Sequence, residues 1–423
     1  MSIIADFAII NANELVTLQG ASDKPKAKGQ MREIGIIPDG AVAVRDGKII
    51  AVGSTSDVLG KLEKGFGIID ASGKLVTPGL IDPHVHLIFA GSRAHELEQM
   101  SVEGVPYLEI KERGGGMPTT LKQTAEMSTQ DTIRKTARIL DTMLIHGTTT
   151  IEAKSGYEMT FEGELRQLEI IQTLHKIHPI DLISTFCAQG IPPEYETRKD
   201  ELTDDIVDRW IPEIGKRKLA EYADAFCEKG YFNLDQSKRM LEAGRKHGMK
   251  LRIHADWLVH SGGAKLGAEL GVVSADHLIF TPKEDIKALV KSGAIGVFLP
   301  TSPFCYVGVY AKAREIIESG LPVALATDVS AANWCESMQM MQALAILRMK
   351  MTAAEALTAA TINAAHSIER SHEIGSLEVG KNADIVIFDA LDHRYFAYHY
   401  GVNLAEKIFK NGRLVAERGR RVS

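Results

Sequence analysis

An α/β chain built on a (β/α)8 barrel, the TIM-barrel architecture, with a small β-sandwich domain assembled from both chain ends, is what three features of the sequence predict. Between residues 78 and 370, eight short apolar segments alternate with amphipathic stretches, the rhythm of parallel strands joined by helical crossovers. The flanking regions, residues 1–77 and 371–423, instead alternate short apolar runs with Asp-Gly, Ser-Gly and Asn-Gly turns, which is how antiparallel hairpins read. No G-x-G-x-x-G follows the first barrel-type strand, and that argues against a doubly wound open sheet. A chain of 423 residues is long for one core, and a large domain over 78–370 with a composite minor one over 1–77 and 371–423 accommodates it.

The elements follow in order. FAIINA, GAVAVRDGKIIAVG and GIIDASGKLVTPGLID supply the first hairpins, and GSLEVGKNADIVIFDA with AEKIFKNGRLVAERG returns to that style near the other end. The eight barrel candidates are LIDPHVH, TTTIEAKSGY, DLISTFCAQG, YADAFCEKG, KLRIHAD, GVVSADHL, AIGVFLP and PVALATD. Stretches such as DTIRKTARILDTMLIHG and LDQSKRMLEAGRKHG have the apolar spacing of helices that pack outside such strands. The Met-rich run SMQMMQALAILRMKM reads as a core-facing helix, and KERGGGMP, with no Lys-Ser ending, as a lid or turn.

Composition excludes several function classes. Hydrophobic residues at 45% and charged residues at 25% describe a globular chain that buries a core. A formal charge of −6 provides no basic field for a nucleic acid. Neither a signal peptide nor a membrane span is read in the apolar runs, so a cytoplasmic protein is expected. Cys187, Cys227, Cys305 and Cys335 show no C-x-x-C pair and are read as buried, reduced thiols.

Chemistry concentrates where the strands end. His84 and His86 close the first unit, Glu152 and Lys154 the second, Gln189 the third, Glu228 the fourth, His254 the fifth, His277 the sixth and Asp328 the eighth. The C-terminal ends of barrel strands form one face, so these residues would converge. Two His two residues apart on a strand share a face and can grip one ion, to which His254 could add a nitrogen and Asp328 an oxygen. Such ligation suits Zn²⁺ by default, and Fe²⁺ or Mn²⁺ as well. With a position left for water, the ion would supply a hydroxide nucleophile, and the chemistry would be hydrolytic. Glu152, Lys154 and Glu228 are given no catalytic role, although Lys154 could in principle be carboxylated. His146, His175, His178 and His247 fall in or at the ends of predicted helices, where the helix C-terminus accounts for them.

PGLIDPHVH, HAD, SADH and ATD, in that order within the βα chain, resemble the amidohydrolase superfamily. GSR, GGGM, HGTTTIEAKSGY, PPEY, GGAKLGAELGVVSADHL, EALTAATINAA and AYHYGVN extend the resemblance to the imidazolonepropionase family along nearly the whole chain. That family opens the ring of 4-imidazolone-5-propionate. The resemblance implies that His84, His86, His254 and Asp328 hold the metal and that His277 bonds the attacking water or the oxyanion; in the mechanism expected here Asp328 accepts the water proton and returns it to the leaving atom. It also implies that Arg93, Tyr107 and Tyr157 take the carboxylate arm, a task for which an Arg fork is suited in itself. Three positions depart from the family pattern: Trp257 stands where it has Glu, Gln189 where it has His, and Ser330-Ala331-Ala332 where it has Asn-Pro-Gly. All three would touch the ring end of the pocket, so Gln189, Trp257 and Ser330 are expected to contact a changed ring.

The expected function is a metal-dependent hydrolase acting on an imidazolone or imidazolidine ring with a propionate arm, a metal-bound hydroxide attacking a ring carbon. The alternative is a desulfhydrase that releases hydrogen sulfide from 3-(5-oxo-2-thioxoimidazolidin-4-yl)propionate, as in ergothioneine breakdown, which the departures favour. A non-catalytic binding relative is the rival from another class. The expected partner is a small molecule with a carboxylate arm, with no nucleic acid or membrane, and a homodimer is possible on this reading.

Overall fold

A computed structural model describes residues 3–422 of the chain. Its centre is a sheet of eight parallel strands: β1 (Leu80–Val85), β2 (Thr148–Lys154), β3 (Asp181–Ala188), β4 (Tyr222–Cys227), β5 (Lys250–Ala255), β6 (Ser274–His277), β7 (Ile295–Phe298) and β8 (Val323–Leu325). Each strand pairs in parallel with the next, and every one of the eight predicted segments contains one of them. Closure comes just beyond β8. The Asp328 amide donates to the His84 carbonyl at 3.2 Å and the His86 amide to the Val329 carbonyl at 2.9 Å, so the seam of the barrel lies beside the HVH segment.

The strands form because Val, Ile, Thr and Ala dominate them and both faces are buried. Inward positions recur every second residue. Ile183, Tyr222, Ile295, Val297, Ala324 and Ala326 share an apolar cluster with Ala364, Ala365 and Ile368, which plugs the end of the barrel remote from the site. Helices surround it, and their starts are chemically marked. Ser128 accepts from the Asp131 amide to begin Thr129–Ile145; Asn233 with Gln236 and Thr352 with Glu355 form reciprocal caps on Leu234–Lys246 and Ala353–Ala359. The Met-rich helix Met338–Met349 buries Met338, Met341 and Met349, as core packing requires.

Two further sheets come from the ends of the chain. One has the order Lys48–Ser54, Gly40–Arg45, Phe7–Ala12, Gly67–Asp70; the other runs Arg420–Arg421, Arg413–Glu417, Ala405–Lys410, Ile385–Phe388, Leu75–Pro78, Glu14–Val16, Ile36–Ile37. Ile9, Val42, Val44 and Ile49 of the first share a core with Leu15, Val76, Ile385, Ile387 and Phe409 of the second, which makes a sandwich. All four cysteines are free, Cys187 and Cys227 buried, whereas Cys305 and Cys335 are only half-buried, contrary to the expectation for those two. Among the described residues no helix is long and apolar enough to cross a membrane.

Candidate functional site

At the C-terminal ends of the strands the structure brings together the residues singled out above. His84 and His86 come from β1 and its extension, His254 from β5, His277 from β6, and Asp328 from just past β8. All five are buried. The Nε2 atoms of His84 and His86 are 3.2 Å apart, those of His254 and His86 also 3.2 Å, and Asp328 Oδ1 is 3.7 Å from the first two. His277 and Asp328 both adopt positive φ, 79° and 58°, a conformation that bulky residues hold only when their surroundings enforce it.

The same imidazoles are gripped from below. His84 Nδ1 is 2.6 Å from Asp276 Oδ2 and His254 Nδ1 is 3.1 Å from Asp224 Oδ1. Donation of Nδ1–H to a carboxylate leaves Nε2 as a lone pair aimed at the centre. The carboxylates are in turn held by two buried cations. Lys154 Nζ donates to Asp224 at 2.7 Å and to Glu152 at 3.0 Å, and Arg252 reaches Asp276 at 3.3 Å while also donating to the Pro83 and Ser367 carbonyls. Burial works against the charge on Lys154, but Asp224 and Glu152 outweigh it and hold the ammonium above its usual range. A cation clamped between two carboxylates is not disposed to carboxylation, so Lys154 is a structural ion here.

These donors fit a divalent transition metal. Nitrogens each about 2.0–2.1 Å from a tetrahedral ion stand about 3.3 Å apart, close to the observed spacing. Burial, with Lys154 next for His84 and His254 next for His86 and His277, pushes these three imidazoles well below the usual His range, so they are neutral bases. Burial and the adjacent Asp82 carboxylate push Asp328 upward, and a cation among the imidazoles would offset both. Asp82, itself moved to about 7 mainly by burial, is fixed by the Thr327 hydroxyl and amide.

Above the histidines lies a tight cavity of about 40 Å³ lined by His86, Arg93, Tyr107, Met117, Tyr157, Gln189, Phe226, His254, Trp257, His277, Tyr306, Asp328, Ser330 and Ala332. Every candidate contact residue is among them. A larger groove, about 730 Å³, runs past Ile286 and Ile316, but it has no converging ligand set. Arg93, which precedes helix Ala94–Val102, spends only Nε on a neighbour, Glu96 at 2.6 Å. Its two terminal nitrogens are buried without a partner. Gly156 at φ 116° turns the chain so tightly that a Cβ there would lie 2.5 Å from the Cys187 carbonyl; this turn places Tyr157 at the cavity.

Trp257 forms the wall next to His277, ring centroids 5.5 Å apart. Its amide donates to Glu228 at 2.7 Å and its indole N–H to Ser302 at 2.5 Å. Gln189 is buried with Nε2 unpartnered, and Ser330 Oγ accepts from the Asn333 amide. The Tyr107 hydroxyl stands 3.3 Å from that of Tyr231, a pair in which either can donate. His178 departs from the helix-dipole account. Its Nδ1 accepts from the Ile180 amide, and burial pushes it down to about 4, so it is no cation. The sequence reading missed Asp224, Asp276, Arg252, Glu96 and Tyr306. The first three carried a signal, charge at alternate positions of apolar strands; Tyr306 carried none.

Comparison with known proteins agrees with this geometry. The amidohydrolase family pattern matches residues 75–415. An imidazolonepropionase from Geobacillus thermodenitrificans (strain NG80-2) is 46% identical over 417 residues, 97% of this chain and 98% of the relative. One from Alkaliphilus metalliredigens (strain QYMF) is 45% identical over 421 residues, 99% of each. Among solved structures, an adenosine deaminase from Xanthomonas campestris with bound zinc superposes with a TM-score of 0.75 at 19% identity, covering 100% of this chain and 95% of that one. The guanine deaminase of E. coli gives 0.69 at 16%, covering 97% and 99%. At such identity these two structures speak for the fold alone, whereas the sequence relatives speak for the family. The chain belongs to the amidohydrolase family and is a hydrolase of the imidazolonepropionase type.

Proposed function

We propose that this hydrolase acts on a five-membered imidazolone or imidazolidine ring carrying a propionate arm. The observation that carries the reading is the pairing of two ends of one cavity: the unpartnered fork of Arg93 at one and the converged Nε2 atoms of His84, His86 and His254 at the other. A guanidinium fork binds a carboxylate through two parallel hydrogen bonds, which would present the ring to the histidines.

His84, His86, His254 and Asp328 would hold the metal, zinc by default with iron or manganese as possibilities, and the ion supplies a Lewis acid that brings the pKa of water near neutrality. Asp328 takes the proton of the attacking water and returns it to the leaving atom. His277 donates to the developing oxyanion. Glu152, Lys154, Asp224, Arg252 and Asp276 keep the imidazoles oriented.

Trp257 favours one ring within this class. Its amide and indole N–H are both committed, so it offers an apolar wall and no titratable proton; Gln189 next to the cavity is likewise an amide. A leaving group that departs as a stable anion suits such a wall. In 3-(5-oxo-2-thioxoimidazolidin-4-yl)propionate, water adds at the thioxo carbon, the C–S bond breaks, a carbonyl remains and sulfide leaves as hydrogen sulfide. The test is to supply this compound and 4-imidazolone-5-propionate to the metal-loaded enzyme while following sulfide release and ring absorbance. Faster turnover of the thioxo ring is expected. Ordinary opening of the imidazolone with no sulfide from the thioxo ring would assign ring opening instead, and turnover of neither would overturn the ring-propionate class.

A further inference from the structure

Three tyrosines line the cavity, and their hydroxyls are not equivalent. Tyr107 shares its hydroxyl with Tyr231. Tyr157 is buried beside the Ser330 side chain. The Tyr306 hydroxyl is buried and has no hydrogen-bond partner, although a buried phenol O–H left unmatched costs about 1–3 kcal/mol. Its ring is fixed by edge contacts to Tyr107 and Trp257, with centroids at 5.8 Å and 6.4 Å. The other unpartnered donors in the same cavity wall include both terminal nitrogens of Arg93.

The local backbone explains how Tyr306 reaches this place. It sits on a single π-helical turn, Pro303–Val307, after β7. Such turns insert one extra residue and recur at functional sites. Ser302, immediately before the turn, receives the Trp257 indole N–H, and the turn packs on helix Ala94–Val102, the helix that Arg93 begins. One short element therefore ties the wall of the ring end to the arm end.

We propose that Tyr306 is a substrate-binding and specificity-determining residue, its hydroxyl donating to the same carboxylate that the two free nitrogens of Arg93 receive. This rests on the carboxylate-arm reading above. A carboxylate accepts several donors at once, and Arg93 with Tyr306 would supply a planar fork plus one neutral hydroxyl. Tyr306 is assigned to this task because its buried hydroxyl has no partner in the folded chain.

The experiment compares wild type, Tyr306→Phe, Arg93→Lys and the double variant on the two ring propionates and on their uncharged propionamides, reading calorimetric Kd as well as KM. Tyr306→Phe deletes one oxygen and keeps the ring contacts. It should weaken propionate binding about tenfold, as expected for a hydrogen bond to a charged group, and alter propionamide binding far less. In the double variant the losses should be less than additive, because both residues serve one group. Unchanged propionate binding in Tyr306→Phe, with Arg93→Lys impaired, would overturn the role of Tyr306 and leave the arm reading intact. Equal losses for acid and amide would reduce Tyr306 to packing and overturn it too. No effect of Arg93→Lys would remove the arm reading and this inference together.

Discussion

The proposed function asks two things of Asp328 at one atom pair, to close the ligand set and to accept a proton. Its side chain stands 3.7 Å from two imidazole nitrogens on a backbone held at φ 58°, so a substitution that preserves shape isolates the charge. Asp328→Asn is expected to reduce kcat by at least about 10²- to 10⁴-fold, the usual worth of a general acid-base group, and to weaken metal retention. Near-wild-type kcat at full metal content would remove the proton role. Trp257 is the second residue whose chemistry decides something. Trp257→Glu places a carboxyl next to His277 and should raise imidazolone opening relative to sulfide release. A ratio unchanged in paired assays would show that the proton path lies elsewhere. The position of these residues at the cavity was legible from spacing and resemblance because each follows the end of a strand. Tyr306 was not, since a π-helical turn has no periodic signature and a buried hydroxyl without a partner is visible only in the folded packing.

At the scale of the element, β2, β4, β5 and β6 each contribute a charge at an inward position, and five such groups form a layer under the histidines. The pattern was visible in the sequence as Glu152 and Lys154, but which carboxylate each cation meets depends on strand register. Asp224 lies opposite Arg252 and His254 opposite Asp276, and no single strand reveals that. Removing one partner of a buried pair leaves a bare charge, at a cost of about 3–5 kcal/mol. Lys154→Met should therefore lower stability by that order in urea titrations. It should also weaken metal binding about 10- to 100-fold in chelator competition, as loss of an outer support for a ligand does. Lost stability with unchanged metal affinity would make the layer merely structural. Stripping the metal from wild type by a strong chelator should lower Tm and abolish turnover, with both restored by zinc, because a ligand that binds only the folded state stabilises it. Unaltered activity after complete stripping would contradict the ligand assignment.

Over the whole molecule, the two architectures meet through contacts that no local pattern announces. The alternation of strands and helices is a local signal and gave the barrel; the order of the terminal sheets, in which Leu75–Pro78 sits between Ile385–Phe388 and Glu14–Val16, depends on pairings across most of the chain. His178 lies at one such junction. It follows helix Phe161–Ile177, its Nε2 is 3.2 Å from Asp141 on helix Thr129–Ile145, and Arg421 near the end of the chain also reaches Asp141. Nδ1 accepts from the Ile180 amide at 3.1 Å, so the ring is neutral and a proton on Nδ1 would break that bond. Burial first, and Arg421 in addition, lower its pKa to about 4 against the partial compensation of Asp141. The unfolded chain, with an ordinary His, binds more protons than the folded one between pH 6.5 and about 4. Stability from this group is thus fully present above pH 6.5 and is lost as pH falls toward 4. Glu164, raised to about 7 by burial, acts in the opposite sense, so the total curve is a sum and the informative quantity is a difference. His178→Gln keeps a donor for Asp141 but cannot titrate. Its urea midpoint, plotted against pH, should fall less steeply than that of wild type between pH 6.5 and 4, and the two curves should run parallel above pH 7. Parallel curves throughout the acid range would mean that His178 titrates alike in both states and that the junction does not sense protons.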